Sequence, residues 1–324
     1  MNTVTKKKNI KKELSGFYRD VITGLSAGFK HLNSKYFYDK AGDKLFQQIM
    51  DSPEYYLTRA EMEIMQQQSG KLAKAILKRE QTFDLVELGP GDATKSIHFL
   101  RALQDEQADF RYYPIDISAN VIALLEDTLP RQLPGLQMKG LACEYFEGLK
   151  KTDKSDRMKL VMFMGSTIGN MPPPDALAFC RELRSKLNTG DMVLIGVDLK
   201  KNPHTILAAY NDAGGITRKF NLNLLKRINR ELGANFNTSK FLHYPTYDPQ
   251  TGACKSFLIS TIKQDVHIGE VSISFEKDEP IFMEISQKYD VKDIEQMAAA
   301  SGFKTAGYYY DSKKSFTDVL WQSV

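Results

Sequence analysis

Cysteine, histidine and tryptophan are scarce in this chain of 324 residues, which has three, five and one of them. Cys143, Cys180 and Cys254 are odd in number and far apart, which argues against a disulfide framework and for free thiols in a reducing, cytoplasmic setting. His31, His98, His204, His243 and His267 show no ligand spacing, so no metal is expected. No apolar run approaches the roughly 20 residues of a membrane span. The lysine-rich start (Lys6, Lys7, Lys8, Lys11, Lys12) is followed by no apolar stretch, so it reads as a solvated tail rather than a signal peptide. One sign of charge does not dominate either: the net charge is +4 with 26% charged residues, small for the length, and neither a nucleic-acid nor a membrane partner is expected. Repeats and low-complexity linkers are absent too. With 42% hydrophobic residues, what remains is an ordinary globular composition with room for one large or two modest domains.

The segment from Leu85 to Lys95 carries the chemistry. Phe83, Leu85, Val86 and Leu88 form an apolar strand, Gly89 and Gly91 turn the chain, and a helix is expected from Thr94 with Ile97, Phe99, Leu100 and Leu103 on its apolar face. Strand, glycine turn and helix make the first βα unit of a doubly wound sheet, where nucleotide-like ligands sit at the carboxyl ends of the strands. The third glycine of a dinucleotide fingerprint is replaced by Thr94. Glu87 stands on the strand itself. A carboxylate there is unfavourable for a pyrophosphate but tolerable for a sulfonium and an ammonium, so S-adenosyl-L-methionine (SAM) is the expected cofactor.

The remaining pattern agrees. Arg111–Asp116 reads as a second strand ending in an acid suited to ribose hydroxyls. Val161–Gly165 and Asp191–Asp198 read as buried parallel strands separated by a helix led by Asp175. A long helix is expected from about Arg59 to Lys78, and further helices over Thr205–Tyr210 and Lys219–Leu232. Lys255–Ile262 and Val266–Phe275 alternate like two strands joined by a turn. Val291–Ala300 is helical and stops before Gly302, and Phe303–Tyr310 and Phe316–Gln322 close the chain as strands. The fold expected is α/β: a Rossmann-like, class I SAM-dependent methyltransferase domain with an inserted α+β substrate-binding domain. Residues 1–60 form an aromatic-rich N-terminal segment, residues 61–198 and 286–324 the methyltransferase domain, and residues 199–285 the insertion.

Several segments together resemble the histidine Nα-methyltransferase family of ergothioneine biosynthesis. They are Tyr36–Phe46, Pro53–Glu61, Glu87–Lys95, Gly165–Asn170, Ala208–Asp212, Phe220–Asn223 with Asn229–Ala234, and Glu284–Ser286, in order along nearly the whole chain. The resemblance implies trimethylation of the α-amine of free histidine to hercynine, with SAM becoming S-adenosyl-L-homocysteine, without a metal and in a monomer. It implies cofactor contacts at Gly89, Lys95, Asp116, Glu144 and Tyr145, beside Glu87 and Gly91 of the turn. The family usually carries Asp-Phe where this chain has Glu144-Tyr145.

For the substrate it implies Tyr38, Phe46, Tyr55, Gly165, Asn170, Tyr210, Glu284 and Ser286, with Phe257 where the family usually places a methionine. Each has a chemical reason. Glu284 can accept an imidazole N–H, Ser286 can serve the other ring nitrogen, and two residues apart on a strand they share a face. Asn170 and Tyr210 suit the α-carboxylate. Tyr38 and Tyr55 offer π-faces to an amine that becomes a methylated cation, and their hydroxyls can relay its proton to water. Two other readings stay open: an N-methyltransferase for another amino acid such as a tryptophan derivative, and a non-catalytic SAM-binding protein.

Overall fold

The computed structural model describes residues 15–152 and 156–324; the lysine-rich start, Lys6 to Lys12, lies outside the described residues. The chain divides into two compact units, one of residues 1–56 and 201–286, the other of residues 57–200 and 287–324. The sequence reading set residues 1–60 apart from the insertion. The structure instead groups the N-terminal segment with residues 201–286 in one body.

The first unit opens with helix α1 (15–25) and helix α2 (Lys40–Asp51). The second unit begins with α3 (Leu57–Leu77), whose buried Leu57, Ala60, Ile64, Met65, Leu72 and Ile76 recur at helical spacing. Then follow β1 (Thr82–Leu88), α4 (Ser96–Asp105), β2 (Asp109–Asp116), α5 (Ala119–Gln132), β3 (Leu141–Ala142) and α6 (Tyr145–Thr152). β4 (Met158–Phe163), α7 (Pro173–Arg184) and β5 (Met192–Asp198) continue the alternation. The expected helix after the glycine turn starts two residues late. The Asp92 carboxylate accepts from the Thr94 N–H at 3.1 Å and its hydroxyl at 2.8 Å, which prolongs the turn.

The chain then returns to the first unit with α8 (Pro203–Ala209) and α9 (Ile216–Leu232). Five strands follow: β6 (Phe241–Tyr247), β7 (Ala253–Ser260), β8 (Gln264–Ile268), β9 (Val271–Phe275) and β10 (Pro280–Gln287). The second unit ends with α10 (Val291–Ala300), β11 (Phe303–Tyr310) and β12 (Phe316–Ser323). Among the described residues, no helix is long and apolar enough to cross a membrane.

The second unit is built on a seven-stranded sheet in the order β11-β12-β5-β4-β1-β2-β3. β1 runs parallel to β2 and β4, and β4 parallel to β5, while β12 is antiparallel to β5 and β11. Both faces are covered: Phe83 and Leu85 of β1 enter one apolar cluster, Val86 and Leu88 the other. That double burial explains the unbroken apolar runs in the sequence. The strand order reverses beside β1, between β1 and β4, so the carboxyl ends of these strands form the ligand crevice of a doubly wound sheet. This is a Rossmann-like α/β methyltransferase architecture.

In the first unit a three-stranded sheet, ordered β10-β7-β6, and the β8-β9 hairpin pack with α1, α2 and α9 around one apolar cluster. Two expectations change here. Residues 266–275 are not one strand: Gly269, at φ +59, folds them into the β8-β9 hairpin. The partner of β7 is β6, with Tyr244 opposite Phe257. Pro245 speaks against a strand in that stretch, and the sheet admits it because β6 is an edge.

Candidate active site

The glycine turn, the end of β2 and the end of β4 meet at the crevice of the second unit. Gly89 sits at φ +70, and a Cβ there would lie 2.8 Å from the Tyr145 hydroxyl, so both the backbone angle and the close packing require glycine. Tyr145 therefore lies over the turn, and burial, then Asp116 and Glu144, raise its pKa. Gly91, at φ +58, has open space where its Cβ would be. Asp116 ends β2 and accepts from the Ser118 N–H at 2.8 Å; burial raises its pKa against that hydrogen bond. Glu144 is exposed. Glu87 is buried, and its two oxygens accept from the Ser96 hydroxyl and, at 2.5 Å, from the Tyr112 hydroxyl. Burial raises its pKa, and the two hydroxyls oppose the shift. The charge expected to face the cofactor is thus committed to holding α4 and β2 to β1.

Lys95 keeps a quarter of its side chain exposed and donates to Glu61, a carboxylate of α3 that is 1% exposed. Burial works to lower the lysine's pKa, but Glu61 outweighs it and the pKa is raised. The second oxygen of Glu61 accepts from the Gly165 N–H at 2.7 Å, at the turn after β4. That turn continues through Ser166, left-handed at φ 54, to the exposed Asn170. The Ser166 hydroxyl accepts from the Asp198 N–H at 3.2 Å, which ties the turn to the end of β5.

The first unit gathers most of the expected acceptor residues. Tyr38, Phe46, Tyr55 and Tyr210 form a chain of edge contacts with ring centroids 5.6, 6.4 and 6.2 Å apart. The Tyr210 hydroxyl donates to Ser286 Oγ at 2.7 Å. On β10, Ile281, Met283 and Ile285 are buried on one face, which leaves Phe282, Glu284 and Ser286 together on the other. Tyr38 has its pKa raised by burial, then by Glu284 and Asp43. Glu284 therefore lies close enough to act on Tyr38. Phe257 meets Phe282 edge-on at 5.8 Å, on the same sheet.

Much of the family-like sequence holds these side chains in place. Asp39 caps α2 through the Gly42 N–H at 2.7 Å and accepts from Asn223 at 2.8 Å and Arg230 at 2.6 Å, both on α9. Burial would raise its pKa, but these three partners lower it. A Cβ on Gly42 would sit 1.8 Å from the Phe37 carbonyl oxygen. Tyr38 and Phe46 are thereby fixed on either side of a clamped helix start. Asp212 does the same for Tyr210: it accepts from the Ile216 and Thr217 N–H groups, both at 2.7 Å, at the start of α9.

Three residues without an assigned role belong near the crevice. Glu61 was visible only as part of a motif. Asp318 is a fully buried acid on β12. Ile117, next to Asp116, is an apolar side chain left 72% exposed at a strand's carboxyl end. The donor set fits SAM: Asp116 for ribose hydroxyls, Ile117 and Tyr145 for an adenine face, an open glycine turn and a lysine for a carboxylate.

Comparison with known proteins agrees with that chemistry. The model of the histidine-specific, SAM-dependent methyltransferase family matches residues 17–323. The histidine N-alpha-methyltransferase of Mycobacterium tuberculosis is 34% identical over 300 residues, covering 92% of both chains. The enzyme of the same name from Mycolicibacterium smegmatis is 33% identical over 300 residues, again 92% of both. Ergothioneine biosynthesis protein 1 of Schizosaccharomyces pombe is 27% identical over 287 residues, 86% of this chain and 37% of that protein. The chain belongs to the family of SAM-dependent, histidine-specific methyltransferases.

Proposed function

We propose that this enzyme trimethylates the α-amine of free L-histidine to hercynine, in the cytoplasm and as part of ergothioneine biosynthesis. The observation that carries the reading is the acceptor set of the first unit: Tyr210 bonded to Ser286, with Glu284 on the same strand face and Tyr38 and Tyr55 in the same ring chain. Glu284 accepts one imidazole N–H and Ser286 serves the other ring nitrogen. The Tyr210 hydroxyl turns from Ser286 to hold the α-carboxylate. A tryptophan ring offers a single N–H and no second nitrogen, so it leaves one of these polar partners unmatched.

When bound, SAM supplies an electrophilic methyl group on a sulfonium. Gly89, Gly91, Lys95, Asp116, Glu144 and Tyr145 hold it. The chain's own part in the chemistry is placement of a neutral amine in line with the S–CH₃ bond, worth roughly 7–11 kcal/mol of barrier. The incoming α-ammonium must lose a proton before it reacts. Although Tyr38 is 48% exposed as a whole, desolvation of its hydroxyl, then Glu284, raise its pKa, so it stays protonated. It therefore acts as a hydroxyl that hands the proton to water, not as an anionic base. The rings of Tyr38 and Tyr55 face the amine as it becomes a quaternary cation, which favours the charged product stage by cation–π attraction.

The test is turnover of free amino acids with SAM, read by mass. Histidine gaining three methyl groups faster than tryptophan or any other amino acid is the expected result. Preferential turnover of tryptophan moves the assignment to the related reaction.

A further inference from the structure

Beneath the cofactor turn lies a buried group of charges to which the reaction assigns no work. Glu61, on α3, reaches Lys95 with one oxygen and the Gly165 N–H with the other. The space it occupies exists because residue 196 is glycine: a Cβ there would fall 2.2 Å from Glu61 Oε1. Gly196 pairs across the sheet with Asp318 of β12. Asp318 is fully buried, and neither of its oxygens has a hydrogen-bond partner among the described residues. Lys95 is the exception in this group: its side chain is 25% exposed, and its Nζ lies 3.9 Å from where a Cβ of Gly165 would be. Helix α3, the glycine turn, the β4 turn and the neighbouring strands β5 and β12 thus converge on one lysine that keeps a quarter of its side chain exposed.

We propose that Glu61 is a positioning residue that aims Lys95 at the carboxylate on the amino-acid end of the cofactor, with the buried Asp318 behind it. An ammonium has three donors on a flexible stem. Glu61 takes one donor and fixes the direction of the stem. Through the Gly165 N–H it also sets the β4 turn, so the lysine and the turn move as one piece. Asp318 follows from charge: Glu61 and Lys95 already cancel, so a second buried carboxylate would be unpaired. Burial, then Glu61, keep its proton on, against the pull of Lys95. A neutral Asp318 leaves Lys95 with a single counter-ion, and the arriving carboxylate becomes the second.

This inference rests on the reading of Lys95 as a cofactor contact, and the test separates the two. Binding of two probes is measured by calorimetry on the full chain. S-adenosylhomocysteine carries the amino-acid end, and 5′-methylthioadenosine is the same nucleoside thioether without it. Glu61→Gln is expected to weaken S-adenosylhomocysteine about ten- to hundredfold, the range of a charge-assisted hydrogen bond. Methylthioadenosine should stay within about twofold, which also shows that the variant is folded. Asp318→Asn, neutral by construction, should bind both probes like the parent. Equal weakening of both probes by Glu61→Gln would make Glu61 a structural residue and overturn the proposal, as would no change in either. Tightening of S-adenosylhomocysteine alone by Asp318→Asn would overturn the neutral state of Asp318, because it would mean that a negative charge had been removed. A parent protein that binds neither probe would instead overturn the cofactor reading beneath it.

Discussion

The two units treat polar groups in opposite ways. The second unit buries charge: Asp198 and Lys288 form an ion pair at 2.7 Å with both side chains fully buried, Asp84 is buried against Arg111, and Glu61, Glu87 and Asp318 lie inside. The first unit collects mostly neutral groups at its expected site, with phenol rings and a serine hydroxyl beside the carboxylate of Glu284. Its ion pairs are less deeply buried: Asp39 with Arg230 and Asp20 with Lys35 keep one partner at least half exposed, and Lys30 with Glu279 and Arg227 with Glu231 keep both partners partly exposed. The difference matches the two ligands. SAM brings fixed charges that rigid, buried counter-charges can read. The acceptor amine changes from ammonium to neutral amine and back at each methylation. Aromatic faces and hydroxyls accept both states, whereas a buried counter-ion would favour only one.

The largest effect should come from breaking the second unit's ion pair. Lys288→Met removes the lysine that neutralises the fully buried Asp198 and should cost about 3–5 kcal/mol in urea unfolding. Pairing it with Asp198→Leu should recover most of that loss. A single variant as stable as the parent would show that the unit does not depend on its buried charges.

The first unit offers a contrasting case in His243, which is buried on β6 with neither ring nitrogen hydrogen-bonded among the described residues. Burial lowers its pKa to about 4, against the pull of Asp212 and with some help from Arg218. The folded form therefore binds fewer protons than the unfolded chain between pH 6.5 and 4. Stability is full above that window and falls as the pH drops through it, by about 3 kcal/mol in total. His243→Phe should flatten this slope in unfolding curves taken from pH 7 to pH 4. An unchanged slope would assign the acid loss to other groups.

Smaller again is the effect of Glu284. Glu284→Ala should raise the KM for histidine by an amount equivalent to about 1.5–3 kcal/mol and leave S-adenosylhomocysteine affinity unchanged. It should also narrow the ratio of kcat/KM between histidine and tryptophan. If that ratio holds, Glu284 does not read the imidazole.

These residues also show what could be read from the chain beforehand. The parallel strands were legible because each is buried on both faces, so Val161–Phe163 and Met192–Val197 are unbroken apolar runs. β6 was not, since Pro245 interrupts a pattern that an edge strand tolerates. Residues 264–275 hid a hairpin behind one glycine. Glu284 and Ser286 were singled out through the family resemblance, and their spacing put them on one strand face, but Glu61 was not. On α3 it sits between apolar positions like any solvated helical acid, and only the missing Cβ of Gly196, 135 positions away in sequence, makes room for it. Asp318 did leave a signal: an acid inside the run Phe316–Trp321, which is buried throughout.

The finest test of the comparison lies in the hydroxyl pair of the first unit. Tyr210 and Ser286 are both buried, and their 2.7 Å hydrogen bond joins neutral groups. Such a bond is worth about 0.5–1.5 kcal/mol net, less than the cost of removing one half of the second unit's buried ion pair. A double-mutant cycle of Tyr210→Phe and Ser286→Ala, read by urea unfolding, should return a coupling in that range. Histidine KM separates structure from recognition. On the proposed reading the Tyr210 hydroxyl turns from Ser286 to the α-carboxylate when substrate binds, so Tyr210→Phe removes that donor and Ser286→Ala removes a partner of the ring. Each should therefore raise KM alone, and the double variant should raise it by nearly the product of the two factors. A double variant no worse than the weaker single one would mean that the pair acts on the substrate as one group, and that recognition in the first unit is as tightly coupled as the charges of the second.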